Sequence, residues 1–215
     1  MDRLLQPYVF SPDLLSRFQA NLGDFTALTV EQPGLRDAAV AIVVTEHKET
    51  GEACVLMTLR PPKLNRHGGQ YALPGGRQDE GEPEVDAALR ELHEELGLDL
   101  GADDVLGQLD QFPTRSGFRI SPIVVWAPGE VQLCPDPSEV AQVFHLPLRE
   151  LDSPDIPRLE DSNNGDHPVL SAFFPTLGHY MYAPTAAILY QFREIALRGK
   201  TTRVSHFDQP AFAWK

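Results

Sequence analysis

The sequence predicts one α+β domain with a mixed β-sheet and at least two flanking helices. Three observations predict it. Short runs rich in Val, Ile and Ala, bounded by turn residues, read as strands. Longer stretches place apolar residues at the helical period. The length, 215 residues, fits a single domain with appendages and can bury a substantial core. An apolar fraction of 42% and a charged fraction of 23% place the chain with ordinary soluble globular proteins.

The first element is a helix in "SPDLLSRFQANLG", with Ser11 as cap and Pro12 in the first turn. Leu14, Leu15, Phe18 and Leu22 form its apolar stripe, and Gly23 is expected to close it. Two β-rich runs follow, Ala38 to Thr45 and Ala53 to Leu59, and the polar "EHKETGE" between them reads as a hairpin connection. A segment punctuated by Pro and Gly, "RPPKLNRHGGQYALPGG", then leads to a helix over Pro83 to Leu96. Further strands are expected near Val105 to Asp110, in "FRISPIVVW", and near Val140 to Leu148. The acidic stretch Asp152 to Pro168 reads as a long excursion rather than packed structure. "TAAILYQFREIALRG" reads as a helix between Pro184 and Gly199, and the tail after it is expected to add a strand or pack its aromatics on the body.

Charge and targeting signals narrow the function. A net charge of −13 argues against a general nucleic-acid binder. It leaves a small anionic ligand open, because a bound cation inverts the local field. Neither a signal peptide, a membrane span nor a peroxisomal terminus is evident, so a cytoplasmic protein is expected. Cys54 and Cys134 form no disulfide or zinc pattern and read as incidental thiols in a reducing compartment.

The helix over Pro83 to Leu96 raises an electrostatic question. Its leucines and Val85 make one stripe, while Glu91 and Glu95 share a flank and Glu94 lies opposite beside Arg90. The helix is therefore expected to dock by its leucines and point its acids outward. Carboxylates four apart repel by roughly 0.2–0.5 kcal/mol per pair. Near a helix C-terminus the macrodipole disfavours negative charge by about 0.3–1 kcal/mol more. Two readings stand at this point: a solvated acidic face, or a site for a hard divalent cation. The glycine-rich "LPGGRQDEGE" before the helix favours the second, since clustered carboxylates plus a backbone carbonyl suit Mg²⁺ or Mn²⁺. Such sites commonly share the ion with substrate phosphates.

The stretch also resembles a known signature. Gly76, Glu82, Arg90, Glu91, Leu92, Glu94, Glu95, Gly97 and Leu98 stand at the spacing of the Nudix box, with no departure. The resemblance implies a Nudix-type α/β/α sandwich over residues 36–198, between an N-terminal helical extension (1–35) and a tail (199–215). It implies hydrolysis of a nucleoside diphosphate linked to another moiety, with Mg²⁺ or Mn²⁺ as cofactor. By that resemblance Glu91 and Glu95 are the principal metal ligands, Glu94 a further one, and the Gly76 carbonyl completes the site. Glu82 and Arg90 become an orienting ion pair. Glu139 falls where many family members place a late acid that serves as metal ligand or general base.

Substrate choice rests on flanking residues. "LMTLRPPKLNRHGGQYALPGG" is similar to the element that marks coenzyme A diphosphatases, with Leu56, Thr58, Arg60, Gly69, Pro74, Gly75 and Gly76 in register. Pro61, Asn65 and Leu73 depart from it. Arg60, Lys63, Arg66 and His67 would form a cationic segment for the extra phosphate of 3′-phosphoadenosine, unless they are a solvated loop. Arg115 and Arg119 are further candidates for substrate contact. His145 reads as a core histidine, and Phe173, Phe174, Tyr180 and Tyr182 read as core rather than as an adenine platform. The expected reaction is cleavage of coenzyme A or its thioesters to 3′,5′-ADP and (acyl-)4′-phosphopantetheine. ADP-ribose or NADH is the rival substrate, favoured by the lost cation at Asn65. A non-catalytic ligand-sensing domain is the rival class, opposed by the complete set of Glu91, Glu94 and Glu95. The expected partner is a small nucleoside diphosphate, with no nucleic acid and no membrane; a homodimer is a possible assembly.

Overall fold

The computed structural model describes residues 8–63, 68–129, 131–162 and 167–210. Helix α1 runs Pro12–Gly23, and the Ser11 side chain accepts from the Leu14 N–H at 3.3 Å. Leu14, Phe18 and Leu22 are its buried residues, each contributing about 1.5–3 kcal/mol on leaving water. Gly23 does not close the helix by a left-handed turn. It is the last helical residue, and the right-handed Asp24 after it bonds back to Ala20.

The central sheet takes its order from the next elements. Strand β1 (Arg36–Glu46) pairs antiparallel with β2 (Ala53–Leu59) through Val44, Thr45 and Glu46, the hairpin the sequence predicts. After β3 (Tyr71–Ala72), the short β4 (Gly75–Arg77) pairs antiparallel with the first half of β1. One edge of β1 thus changes partner between Val40 and Val44, from β4 to β2. Helix α2 (Glu84–Leu96) follows, then β5 (Val105–Gln108), β6 (Phe112–Pro113) and β7 (Phe118–Trp126). Strand β7 lies parallel to β1 along its opposite edge, from Arg36↔Phe118 to Val44↔Trp126. Strand β8 (Gln142–Pro147) closes on β2, and α3 (Leu148–Leu151) continues from it.

Alternation along β1 produces two cores. Ala39, Ala41 and Val43 join Leu56, Ile123 and Val125 under α2. Ile42 and Val44 face the other way, with Val55, Met57, Val124 and Trp126, towards α1. Phe18 meets Trp126 and Phe192 edge-on at 6.1 and 5.6 Å, tying α1 to the sheet and to the C-terminal helix. The result is the mixed α/β/α sandwich the sequence predicts.

The C-terminal third departs from expectation in three places. The excursion over 152–168 contains a strand, β9 (Arg158–Glu160), antiparallel to β10 (Val169–Phe174), with β11 (His179–Tyr182) on the far side. Strand β9 is exposed throughout, so no apolar alternation marks it. Phe174 is core, whereas Phe173 and Tyr180 lie on the outer face and pack on one another at 5.1 Å. Helix α4 (Thr185–Phe192) continues as a π-turn over Arg193–Leu197 rather than as regular α-helix. Arg193 is buried there, its guanidinium donating to the carbonyls of Ser153 and Ile156 at 3.2 and 2.7 Å. Among the described residues, the tail adds one parallel bridge, Val169↔Asp208, and packs Phe207 on the core. Among the described residues, no helix is long and apolar enough to cross a membrane.

Candidate active site

The fork in the β1 edge builds the site. Ala41 N–H donates to the Pro74 carbonyl at 2.8 Å, so the chain turns into β4 tight against β1. A Cβ on Gly75 (φ 150°) would stand 2.3 Å from the Ala39 carbonyl oxygen and 2.7 Å from Val40 Cα. Backbone cannot yield there, so glycine is required. A Cβ on Gly76 would stand 2.3 Å from Glu91 Oε1. The second glycine is therefore dictated by a carboxylate rather than by the fold.

Helix α2 starts after Pro83 and stops at Gly97, which takes the left-handed conformation (φ 64°) of a helix-ending glycine. Arg90 is the hub of its acidic face. Its guanidinium donates to both Glu82 oxygens (2.8 and 3.0 Å), to Glu91 (3.0 Å), to Glu94 (3.2 Å) and to the Arg77 carbonyl (3.0 Å). The Arg90 hydrogen bonds, with one from the Asp79 N–H, pull the Glu82 carboxyl down to about 2. The expected Glu82–Arg90 pair is thus present.

Glu95 corrects the expectation that the acids point outward. It is only 2% exposed, on the face that also buries Ala88, Leu92 and Leu96. The small Ala87 and Ala88 let the helix roll that flank towards the sheet. One Glu95 oxygen accepts from the Gly75 N–H at 3.1 Å, and the other meets Arg60 Nη1 at 3.4 Å. Burial pushes its carboxyl up to about 7 against the pull of the Gly75 N–H and Arg60. Glu91, half-buried, is also raised, chiefly by burial.

Glu139 reaches the same cluster from another element. The Asp136 N–H bonds the Glu95 carbonyl at 3.0 Å, and Val140 N–H bonds the Asp136 carbonyl at 2.8 Å. This folds the loop before β8 onto the end of α2, and the Glu139 charge raises both Glu91 and Glu95. Glu95 and Glu91 thus meet the Gly75–Gly76 turn, Glu139 is near enough for its charge to act on both, and the exposed Glu94 is held beside them by Arg90.

The remaining predicted residues fare differently. Lys63 is exposed, and Arg66 lies outside the described residues. Arg115 pairs with Asp208 of the tail, its Nε at 2.8 Å. Arg119 pairs with Asp37 at 2.7 Å and with the Val30 carbonyl. Both are tied to scaffold acids rather than drawn to the α2 cluster. A cleft of about 270 Å³ is lined by Arg115, His167, His206, Asp208 and Gln209, but by none of the four acids. His145 is half-buried and edge-on to His47 at 5.7 Å, so it is only partly a core residue. Arg36 and Arg77, not singled out in the sequence, place their guanidinia 4.0 and 5.4 Å from the Phe118 ring centre.

The donor set fits a hard divalent cation: carboxylates from Glu91, Glu94, Glu95 and Glu139, and a turn that only glycine can occupy against Glu91. Among the described residues, no three acidic, His or Cys side chains already converge as a ligand cluster. Arg90 and Arg60 hold the acids instead.

The profile of the NUDIX domain matches residues 35–173, well over half of the chain. The chain belongs to the Nudix hydrolase family, enzymes acting on phosphoric anhydrides. It is 36% identical over 137 residues to an uncharacterized Nudix hydrolase NudL of Cronobacter sakazakii, covering 63% of this chain and 68% of that one. It is 31% identical over 189 residues to an uncharacterized NudL of Enterobacter sp. (strain 638), covering 86% and 93%. A MutT/nudix family protein from Enterococcus faecalis shares the fold at a TM-score of 0.52, with 19% identity over 84% of this chain and 69% of that one.

Proposed function

We propose that this protein hydrolyses the diphosphate bond of coenzyme A or acyl-coenzyme A, giving 3′,5′-ADP and (acyl-)4′-phosphopantetheine. The observation that carries the reading is the Gly75–Gly76 turn seated on Glu95 and Glu91, with the charge of Glu139 acting on both. The element preceding that turn, from Leu56 to Gly76, resembles the coenzyme A type.

Glu91 and Glu95 serve as the principal ligands of Mg²⁺ or Mn²⁺, with Glu94 and the Gly76 carbonyl completing the set. When bound, the cation neutralises phosphate oxygens and lowers the pKa of the attacking water. Water adds at one phosphorus, and the bridging P–O bond breaks. Glu139 holds the cation or takes the water proton. Arg90, fixed by Glu82, keeps Glu91 and Glu94 oriented. Lys63 and Arg66, which precede the turn in the sequence, take the 3′-phosphate by charge. The setting is cytoplasmic and the partner a small nucleotide derivative, which the net charge of −13 supports over nucleic acid.

The test is a panel of coenzyme A, acetyl-coenzyme A, ADP-ribose and NADH with Mg²⁺ or Mn²⁺, the products identified by mass. Coenzyme A cleaved at the diphosphate is the expected result. Coenzyme A left intact while ADP-ribose or NADH is cleaved would favour the reading that Asn65 supports, in which the 3′-phosphate is not recognised. An unhydrolysed ligand bound tightly would favour a sensor.

A further inference from the structure

Among the described residues, two arginines reach the acid cluster, and they are held very differently. Arg90 makes five bonds of 2.8–3.2 Å to four acceptor groups, which leaves it no freedom to turn. Arg60 makes one contact there, to Glu95 Oε1 at 3.4 Å. That is long for a charge-assisted hydrogen bond, whose ordinary length is about 2.7–2.9 Å. Its side chain is 26% exposed, whereas that of Glu95 is 3% exposed.

The backbone of Arg60 is fixed. Its N–H donates to the Gln70 carbonyl and its carbonyl accepts from the Gly69 N–H, both at 3.0 Å. These bonds close the base of the loop that carries Lys63. Among the described residues, nothing but the Glu95 contact holds the Arg60 side chain by a hydrogen bond or ion pair. On the acid's side, the Gly75 N–H already engages Oε2, so Oε1 is the oxygen through which Glu95 meets a cation.

We propose that Arg60 is an exchangeable counter-ion. It sits on Glu95 while no divalent cation is bound, and it turns to the substrate's diphosphate when one arrives. A cation at Glu95 repels the guanidinium and neutralises its partner, so the arginine is released where phosphate oxygens lie. Arg60 is then a positioning residue that couples cation binding to diphosphate capture, rather than a reader of the 3′-phosphate. This rests on the reading of Glu95 as a cation ligand.

The test is Mn²⁺ binding to the substrate-free protein, followed by the paramagnetic signal of free Mn²⁺. Arg60→Gln removes the competing charge, so Mn²⁺ binds about tenfold tighter than in wild type. Affinity equal to or weaker than wild type overturns the exchange. Should Arg60→Gln not fold, Arg60→Lys keeps a charge but reaches Glu95 less well; it too binds Mn²⁺ tighter, and wild-type or weaker affinity overturns the proposal. Glu95→Gln separates the two claims. If it loses Mn²⁺ and Arg60→Gln matches wild type, only the exchange fails; if Mn²⁺ binding survives Glu95→Gln, the cation site fails with it.

Discussion

The backbone N–H of Gly75 donates to the buried carboxylate of Glu95 at 3.1 Å, joining the glycine turn to the acidic helix. Loop and helix are thereby one unit, and the neighbouring glycines fail in different ways when substituted. In Gly75→Ala the new methyl meets Ala39 and Val40 backbone, so the fold loses about 1–3 kcal/mol or more from overpacking. In Gly76→Ala the methyl meets the carboxyl end of the Glu91 side chain rather than backbone, so the melting temperature changes little while turnover collapses. Thermal melts and steady-state rates on both variants check this contrast. Equal destabilisation of the two would refute it.

Glu95 makes the cation-free protein pH-sensitive. Its folded pKa, about 7, lies above the ordinary value near 4.3. A raised carboxyl contributes stability that is fully present below about 4.3 and is lost as pH climbs through about 7. Relative to Glu95→Gln, wild type should therefore lose melting temperature across that window. Mn²⁺ affinity should rise over the same range, because the ligand must give up its proton. A constant difference between the two proteins from pH 4 to 8 would contradict the burial of an ionisable acid.

Glu82 carries the opposite sign. Held down to about 2 by Arg90, it contributes stability present above the ordinary value near 4.3 and lost as pH falls through about 2. Glu82→Gln is expected to cost about 1.5–3 kcal/mol near neutral pH, the scale of a hydrogen bond to a charged group. The cost should shrink in acid. Chemical denaturation at pH 7 and pH 3 measures it.

The π-turn is a structural device remote from this chemistry. Arg193 and Glu194, 2% and 3% exposed, pair at 3.0 Å, and Glu194 also binds Arg198 and Lys200. Removing one partner leaves a buried charge, so Glu194→Ala should destabilise by about 3–5 kcal/mol. Denaturant unfolding reads the loss, and the Mn²⁺ affinity of the folded fraction should be unchanged.

What was legible in the sequence follows from local physics. Strands Ala53–Leu59 and Phe118–Trp126 stand where their apolar runs end, and Gly97 stops α2 as a glycine in that place should. The box residues were readable because their spacing is fixed along one chain segment. The burial of Glu95 was not readable. A helical projection weighs large apolar side chains, and here two alanines let an acid roll inward. Strand β9 was invisible because none of its residues is buried. The partners of Arg60, Arg115 and Arg119 are 35, 93 and 82 positions away, and only the folded sheet brings them together.

The central claim is that Glu95 and its neighbours hold a divalent cation against a diphosphate. Turnover of coenzyme A by wild type and by Glu95→Gln at saturating Mn²⁺ tests it most directly. Wild type should release 3′,5′-ADP and 4′-phosphopantetheine. The variant, folded and equally stable or more so, should turn over on the order of 10²–10³ times more slowly, the scale of losing one preorganised electrostatic contact. A Glu95→Gln enzyme that cleaves coenzyme A at the wild-type rate would contradict the account.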